Sequence, residues 1–199
     1  MKNTIITAIH NRRTHHALSN RSTISDDEII EIVQEALMHV PSAFNAQSSR
    51  AVILFEKAHG TMWEIVREEL RKIVPFEQLP KTEKKIDTFQ AAYGTVLFYE
   101  DTLIHESLKE RFPLYKEDVE TWSKEGQGML QMIVWTAFSE TGLGASLQHY
   151  NPLIDFTIEK TFSIPPTWKL IAQMPFGVST EDPKSKSFVS LSERLIVKK

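Results

Sequence analysis

Apolar residues recur at helical spacing in several separate blocks of this chain, and three short blocks are apolar without a break. Ile5, Ile6 and Ile9 put one sticky stripe on a short helix running from Lys2 to Asn11. A second helix is predicted from Ser25, which has Glu28 at the spacing of a capping box. Its stripe is Ile29, Ile32, Val33, Ala36 and Leu37, and Pro41 ends it. Trp63, Val66, Leu70 and Ile73 give a third helix, and Ile86 and Phe89 mark a fourth within "KTEKKIDTFQAA". "AVILFE" (51–56), "GTVLFYE" (94–100) and "WKLIAQMPFG" (168–177) are short and apolar, as buried strands are. Lys116 to Thr141 contains no proline and gathers Met129, Met132, Ile133, Trp135, Thr136 and Phe138. It predicts a long helix that is apolar nearly all round in its C-terminal half and is stopped by Gly142 and Gly144. "ASLQHYNP" reads as extended, "LIDFTIEKTF" as a helix, and "SFVSLSE" (187–193) as one more short strand.

Helices outnumber strands, and no linker or repeat interrupts the pattern, so the expectation is one α+β domain spanning 1–199. The long helix carries more apolar surface than one small core can use, which predicts a subunit interface. Composition then narrows the function. Of 199 residues 41% are hydrophobic, enough for a core, and the formal net charge of −3 argues against a nucleic-acid partner. With no cysteine, disulfides, thiolate zinc sites and thiol nucleophiles are excluded. No window approaches the ~20 apolar residues of a membrane span, and the N-terminus lacks a signal-peptide core, so a cytoplasmic location is expected.

Most apparent motifs fail on inspection. His10, His15 and His16 are close together, but no His-x-x-x-His pair with a carboxylate beside it exists to hold a metal. "GLGAS" lacks the order of a nucleophile elbow, and "EGQGML" lacks the third glycine and preceding strand of a dinucleotide fingerprint. Two loops survive. Arg12-Arg13-Thr14-His15-His16 offers guanidinium, hydroxyl and imidazole donors, which suit a phosphate, although a solvated charge run explains it equally well on composition alone. "HVPSAFNAQSSR" (39–50) places Ser42, Asn45 and Gln47 close together, groups that both donate and accept, as a flat heterocycle requires. Together they suit the two ends of one nucleotide.

In order along the chain, "NRRTHHAL", "PSAFNAQ", "ETGLGASLQHYNP", and "PFG" followed by "KSK" resemble the nitroreductase family of FMN-dependent oxidoreductases. "AAYGTVLFYED" and "LQHYNPLID" are similar to its branch related to the fungal fatty-acid-repression proteins. The resemblance implies an α+β fold with a central mixed β-sheet flanked by helices, and a long central helix at a homodimer interface with shared flavin sites. It implies that Arg12, Arg13 and Thr14, with Lys184 and Lys186, face the FMN phosphate. Ser42, Asn45 and Gln47 would lie along the ribityl chain and ring edge, and in a dimer with shared sites they can come from the neighbouring subunit's copy of the loop. Leu147, Gln148, His149 and Tyr150, up to Asn151, would bring backbone groups to flavin N5 and O4. His16 stands where family members often carry a permanent cation, and Gln47-Ser48-Ser49 lacks their usual aromatic. Pro152 has no N–H, so a donor to N5 would come from His149, Tyr150 or Asn151. The implied activity passes electrons from NADH or NADPH through FMN to a small-molecule acceptor such as a nitroaromatic or quinone, with no obligatory catalytic side chain. The alternative is a flavin-binding regulatory or storage protein whose reductase activity is incidental.

Overall fold

The central strand is buried on both faces, and this sets the layering. In the computed structural model, which describes residues 4–199, β2 (Gly94–Asp101) has no residue open to solvent. It pairs with β1 (Ser49–Phe55) and with β4 (Trp168–Gly177), and β4 carries the two-residue β3 (Gly144–Ala145) on its other side. The order is β1-β2-β4-β3, and every pairing is antiparallel. Of the mixed character expected of the sheet, only the isolated parallel bridge Thr14–Ala145 is seen among the described residues.

Strand alternation sends Val96 and Phe98 to one face and Leu97 and Tyr99 to the other. The first face packs on α2 (Asp26–His39) and α6 (Val119–Glu140), through Ile29, Val33, Leu130, Val134 and Phe138. The second packs on α3 (Glu56–Arg71), α4 (Leu79–Gln90) and α7 (Asp155–Phe162), through Trp63, Val66, Ile86, Phe89 and Ile158. Of the predicted first helix, α1 (Thr4–Asn11) is described and Lys2 lies outside the described residues. The α2 capping box forms as its spacing predicts, with Ser25 N–H donating to Glu28 at 2.8 Å. Gly142, at φ 86°, follows α6 in the left-handed conformation that glycine adopts without penalty.

Two elements differ from expectation. α5 (Thr102–Arg111) carries no apolar stripe for the pattern to report, since only His105 and Leu108 are buried. Its start is set by Asp101, whose carboxylate accepts from Leu103 N–H at 3.2 Å. "SFVSLSE" is not a strand: it runs exposed with one 3-10 turn at Leu191–Glu193, and Phe188 is 81% exposed. A strand needs a neighbour, and no other described strand lies beside this segment.

The second core layer contains one buried imidazole. His59 Nδ1 lies 2.9 Å from Thr95 Oγ1 and Nε2 lies 3.1 Å from the Gln90 carbonyl, while Trp63 Nε1 donates to the same hydroxyl at 3.0 Å. Burial pushes the His59 pKa down, against the opposing pull of the Gln90 and Phe89 carbonyls. The folded state therefore binds this proton less well than the unfolded chain does. The stability that neutral His59 contributes is complete above about pH 6.5 and is lost as pH falls through the folded pKa. His59→Gln should cost roughly 1–3 kcal/mol at neutral pH through its broken contacts, yet lose less on acidification than the native chain. Urea titrations across that pH range check this, and parallel acid slopes would refute it.

Candidate functional site

After α1 the chain turns along the outer edge of β3. His15 N–H donates to the Ala145 carbonyl at 3.0 Å, Ser19 N–H to Val178 at 2.9 Å, and Thr180 N–H to Ala17 at 3.0 Å. This seat depends on two glycines. A Cβ at Gly144 would stand 3.0 Å from His15 Cβ, and one at Gly177 would collide with the Ser19 carbonyl. The basic loop is thereby fixed against the segment after β4, and Arg13 donates to the Lys184 carbonyl.

Four sequence-predicted cations meet here without an ion-pair partner among the described residues. Among the described residues no carboxylate forms an ion pair with Arg12, Arg13, Lys184 or Lys186. The buried Nε atoms of both arginines lack a hydrogen-bond partner among the described residues. Burial and then the neighbouring Arg13 pull the Arg12 pKa down, and desolvation, Arg12 and Arg13 do the same to Lys186. Like charges brought together at this cost define a place where an anion would be stabilised. Arg12 also stacks 4.3 Å above the Trp135 ring of α6, a support the sequence did not reveal.

His16 and Thr14 lie exposed at the same loop. Partial burial, then repulsion from Lys85, Lys184 and His15, holds the His16 pKa below its usual value. Lys85 reaches this spot from α4, which no pattern in the sequence indicated.

The segment after β3 runs beside β4 as an open edge. Gln148 exchanges both backbone bonds with Gln173, at 2.7 and 2.9 Å, so alternation turns the N–H groups of Leu147 and His149 outward, where neither has a partner among the described residues. Tyr150 is different. Its N–H is taken by the Gln173 side chain at 2.8 Å, and its ring is packed against Trp63. Burial pushes its hydroxyl up to about 12. Of the expected N5 donors, His149 and Asn151 keep an N–H with no partner among the described residues, and Tyr150 does not. Gln173, fully buried, also donates to Asn151 Oδ1 at 3.3 Å and so fixes this turn, next to the cis Asn151–Pro152 bond. Its position in an apolar strand, "LIAQMPF", was the available signal.

Ser42, Asn45 and Gln47 are not brought to the basic loop. Their loop leads into β1, at the opposite edge of the sheet, and Phe44 stacks on Phe112 at 3.9 Å and meets Trp122 at 5.8 Å. Trp122 and Trp135 mark the two loops' places on α6, roughly 20 Å apart along its axis. Gln47 N–H donates to Ser42 Oγ at 3.0 Å, while the side chains of Asn45 and Gln47 are exposed and make no hydrogen bond among the described residues. Phe44, Asn45 and Gln47 have φ of 53°, 52° and 51°, a left-handed conformation that costs about 1 kcal/mol or more at each non-glycine residue.

Beneath that loop lies a buried polar cluster. Glu100, 1% exposed, accepts from Ser49 Oγ at 2.7 Å and from Gln127 Nε2 at 2.7 Å, and His105 Nε2 is 2.9 Å from its second oxygen. Burial alone would raise its pKa, but hydrogen bonds from His105, Ser48, Ser49 and Gln127 hold it at about 2. Among the described residues no three His, Asp or Glu side chains are placed to hold a metal, and no helix is long and apolar enough to cross a membrane.

Known proteins share this fold and much of this sequence. The chain is 32% identical over 187 residues to the nitroreductase FRM2 of Saccharomyces cerevisiae, covering 93% of each. The solved structure of the nitroreductase CinD from Lactococcus lactis, in complex with 4-nitrophenol, superposes with a TM-score of 0.89 at 41% identity, over 98% of this chain and 100% of that one. A Desulfovibrio desulfuricans protein in complex with FMN shares the fold at 18% identity, with a TM-score of 0.74 over 100% and 99% of the two chains. The profile of the Nitroreductase family matches residues 9–178, from the end of α1 to the end of the sheet, and the chain belongs to that family.

Proposed function

We propose that the chain, acting over 1–199 as one cytoplasmic domain, is an FMN-dependent NAD(P)H oxidoreductase. It would take electrons from NADH or NADPH and pass them to a nitroaromatic, quinone or similar small acceptor. The observation that carries this reading is the cradle of unpaired cations with two orphaned guanidinium Nε atoms, set beside an open strand edge. Arg12, Arg13, Lys184 and Lys186 would hold the FMN phosphate, with Thr14 adding a hydroxyl. The outward N–H groups of Leu147 and His149 would meet the ring edge, and the amides of Asn45 and Gln47 would meet its other polar groups. FMN supplies the electron carrier that no side chain here can replace. The complex of 4-nitrophenol with CinD supports the acceptor class, and the FMN complex of a protein with this fold supports the cofactor.

The same reading makes the protein a homodimer. The two loops are too far apart in one chain to face each other across a pocket, and a second copy would supply the missing wall. Its surface is available: Met129 and Ile133 are 41% and 40% exposed on α6, and the indole N–H of Trp135 and hydroxyl of Thr136 are buried without partners among the described residues. A groove of about 540 Å³ between α2 and α6 is lined by Ile24, Ile32, Ala36, Ile133 and Ala137. Phe138, in the same apolar run of α6, is by contrast fully buried and packs on Phe176 at 4.9 Å.

The test is a visible spectrum of the purified protein, before and after anaerobic addition of NADH or NADPH. A flavin spectrum that bleaches and then returns with 4-nitrophenol or a quinone is the expected result. A protein that stays colourless after incubation with FMN refutes the cofactor, and one whose colour bleaches only over hours supports the storage reading.

A further inference from the structure

Three left-handed residues in four, none of them glycine, do not hold themselves in place. The bonds that hold the Ser42–Gln47 loop converge on one end of β2. Arg50 donates to the Gln47 carbonyl at 2.7 Å and pairs with Asp101 at 3.1 Å, while Asp101 N–H donates to the Ser48 carbonyl at 2.9 Å. The centre of this arrangement is Glu100, whose carboxylate takes the Ser49 hydroxyl on one side and Gln127 and His105 on the others. Gln127 is itself tied to the Tyr99 carbonyl at 2.7 Å and to Gln131 at 3.3 Å. A carboxylate so enclosed is immobile. Its cost is met only because every neighbour aims a donor at it.

We infer that Glu100 is a positioning residue: through Ser48 and Ser49 it preorganises the Ser42–Gln47 loop for the polar edge of the flavin ring. The inference rests on the flavin reading for its ligand, but the mechanical part stands on the apoprotein. Ordering a loop before binding removes an entropic cost that would otherwise fall on affinity. The effect belongs to the ring end and not to the phosphate end.

Glu100→Ala is therefore expected to weaken FMN and riboflavin binding by the same factor, about tenfold or more. In the flavin-free protein, amide exchange at residues 44–48 should accelerate by a similar factor. Glu100→Gln keeps an oxygen for Ser49 and Gln127 and should restore both quantities to near the native values. Where Glu100→Ala fails to fold, Ser49→Ala cuts a single contact and should show the same pattern to a smaller degree. The inference is overturned if the alanine variants leave exchange at 44–48 unchanged, or if FMN affinity falls while riboflavin affinity does not. Native protein that binds neither flavin would sink the functional reading, whereas the exchange arm would still decide whether Glu100 holds the loop.

Discussion

Replacing both Lys184 and Lys186 with alanine should cost FMN affinity roughly a hundredfold to ten-thousandfold, while riboflavin affinity stays where it is. Each ammonium would contribute one charge-assisted contact in the proposed clamp, and losing such a contact typically costs about tenfold to a hundredfold. The two losses compound unless the remaining cations take up the phosphate. Arg12 and Arg13 would still be present, relieved of their repulsion from Lys186, so the lower end of the range is expected at low salt. Riboflavin is the internal control because it lacks only the phosphate. Equal loss for both flavins would mean that the C-terminal segment had shifted as a whole, and no loss for either would place the lysines outside the pocket.

Ile133→Glu should produce the second large effect, a protein that neither dimerises nor retains flavin at micromolar concentration. Ile133 sits on the exposed apolar strip of α6 and lines the groove against α2, whose rim already carries Glu28, Glu31 and Glu35. A further carboxylate there would be buried without a partner and repelled by its neighbours, a cost of several kcal/mol per subunit on association. Because the pocket is proposed to be shared, dimer dissociation and flavin loss should follow one curve on dilution of the native protein as well. Sedimentation measured together with flavin absorbance checks this. A yellow monomer, well folded by circular dichroism, would end the shared-pocket reading.

Much of this molecule was legible in its sequence because burial leaves a periodic trace. β2, apolar on both faces, could be recognised from "GTVLFYE" alone, and Ser25 and Glu28 announced the start of α2. α5 left no such trace, since it touches the core through only His105 and Leu108. "SFVSLSE" has the alternation of a strand but finds no described neighbour, which shows that pattern states a preference and pairing decides. For Phe138 the pattern was silent, because a helix apolar nearly all round does not say which side is inward. Six residues of α6 turned core-ward with it. At the site, charge and short polar side chains marked both loops. What remained hidden were the supports contributed from elsewhere: Trp135 under Arg12, Lys85 beside His16, Gln173 behind Tyr150 and Glu100 beneath Ser49. Each is an ordinary residue in its own element and acquires a role only through a contact distant in sequence.

The separation of the two loops along α6 has a consequence for inheritance. If each pocket draws its cations from one subunit and its amides from the other, the two loops of a single polypeptide serve different pockets. A gene copy damaged in the basic loop and another damaged around Asn45 would each be useless alone. Expressed in one cell, their products would pair, and every mixed dimer would concentrate both defects in one pocket and leave the other whole. Two recessive lesions in the same gene would then complement each other, as lesions in separate genes do.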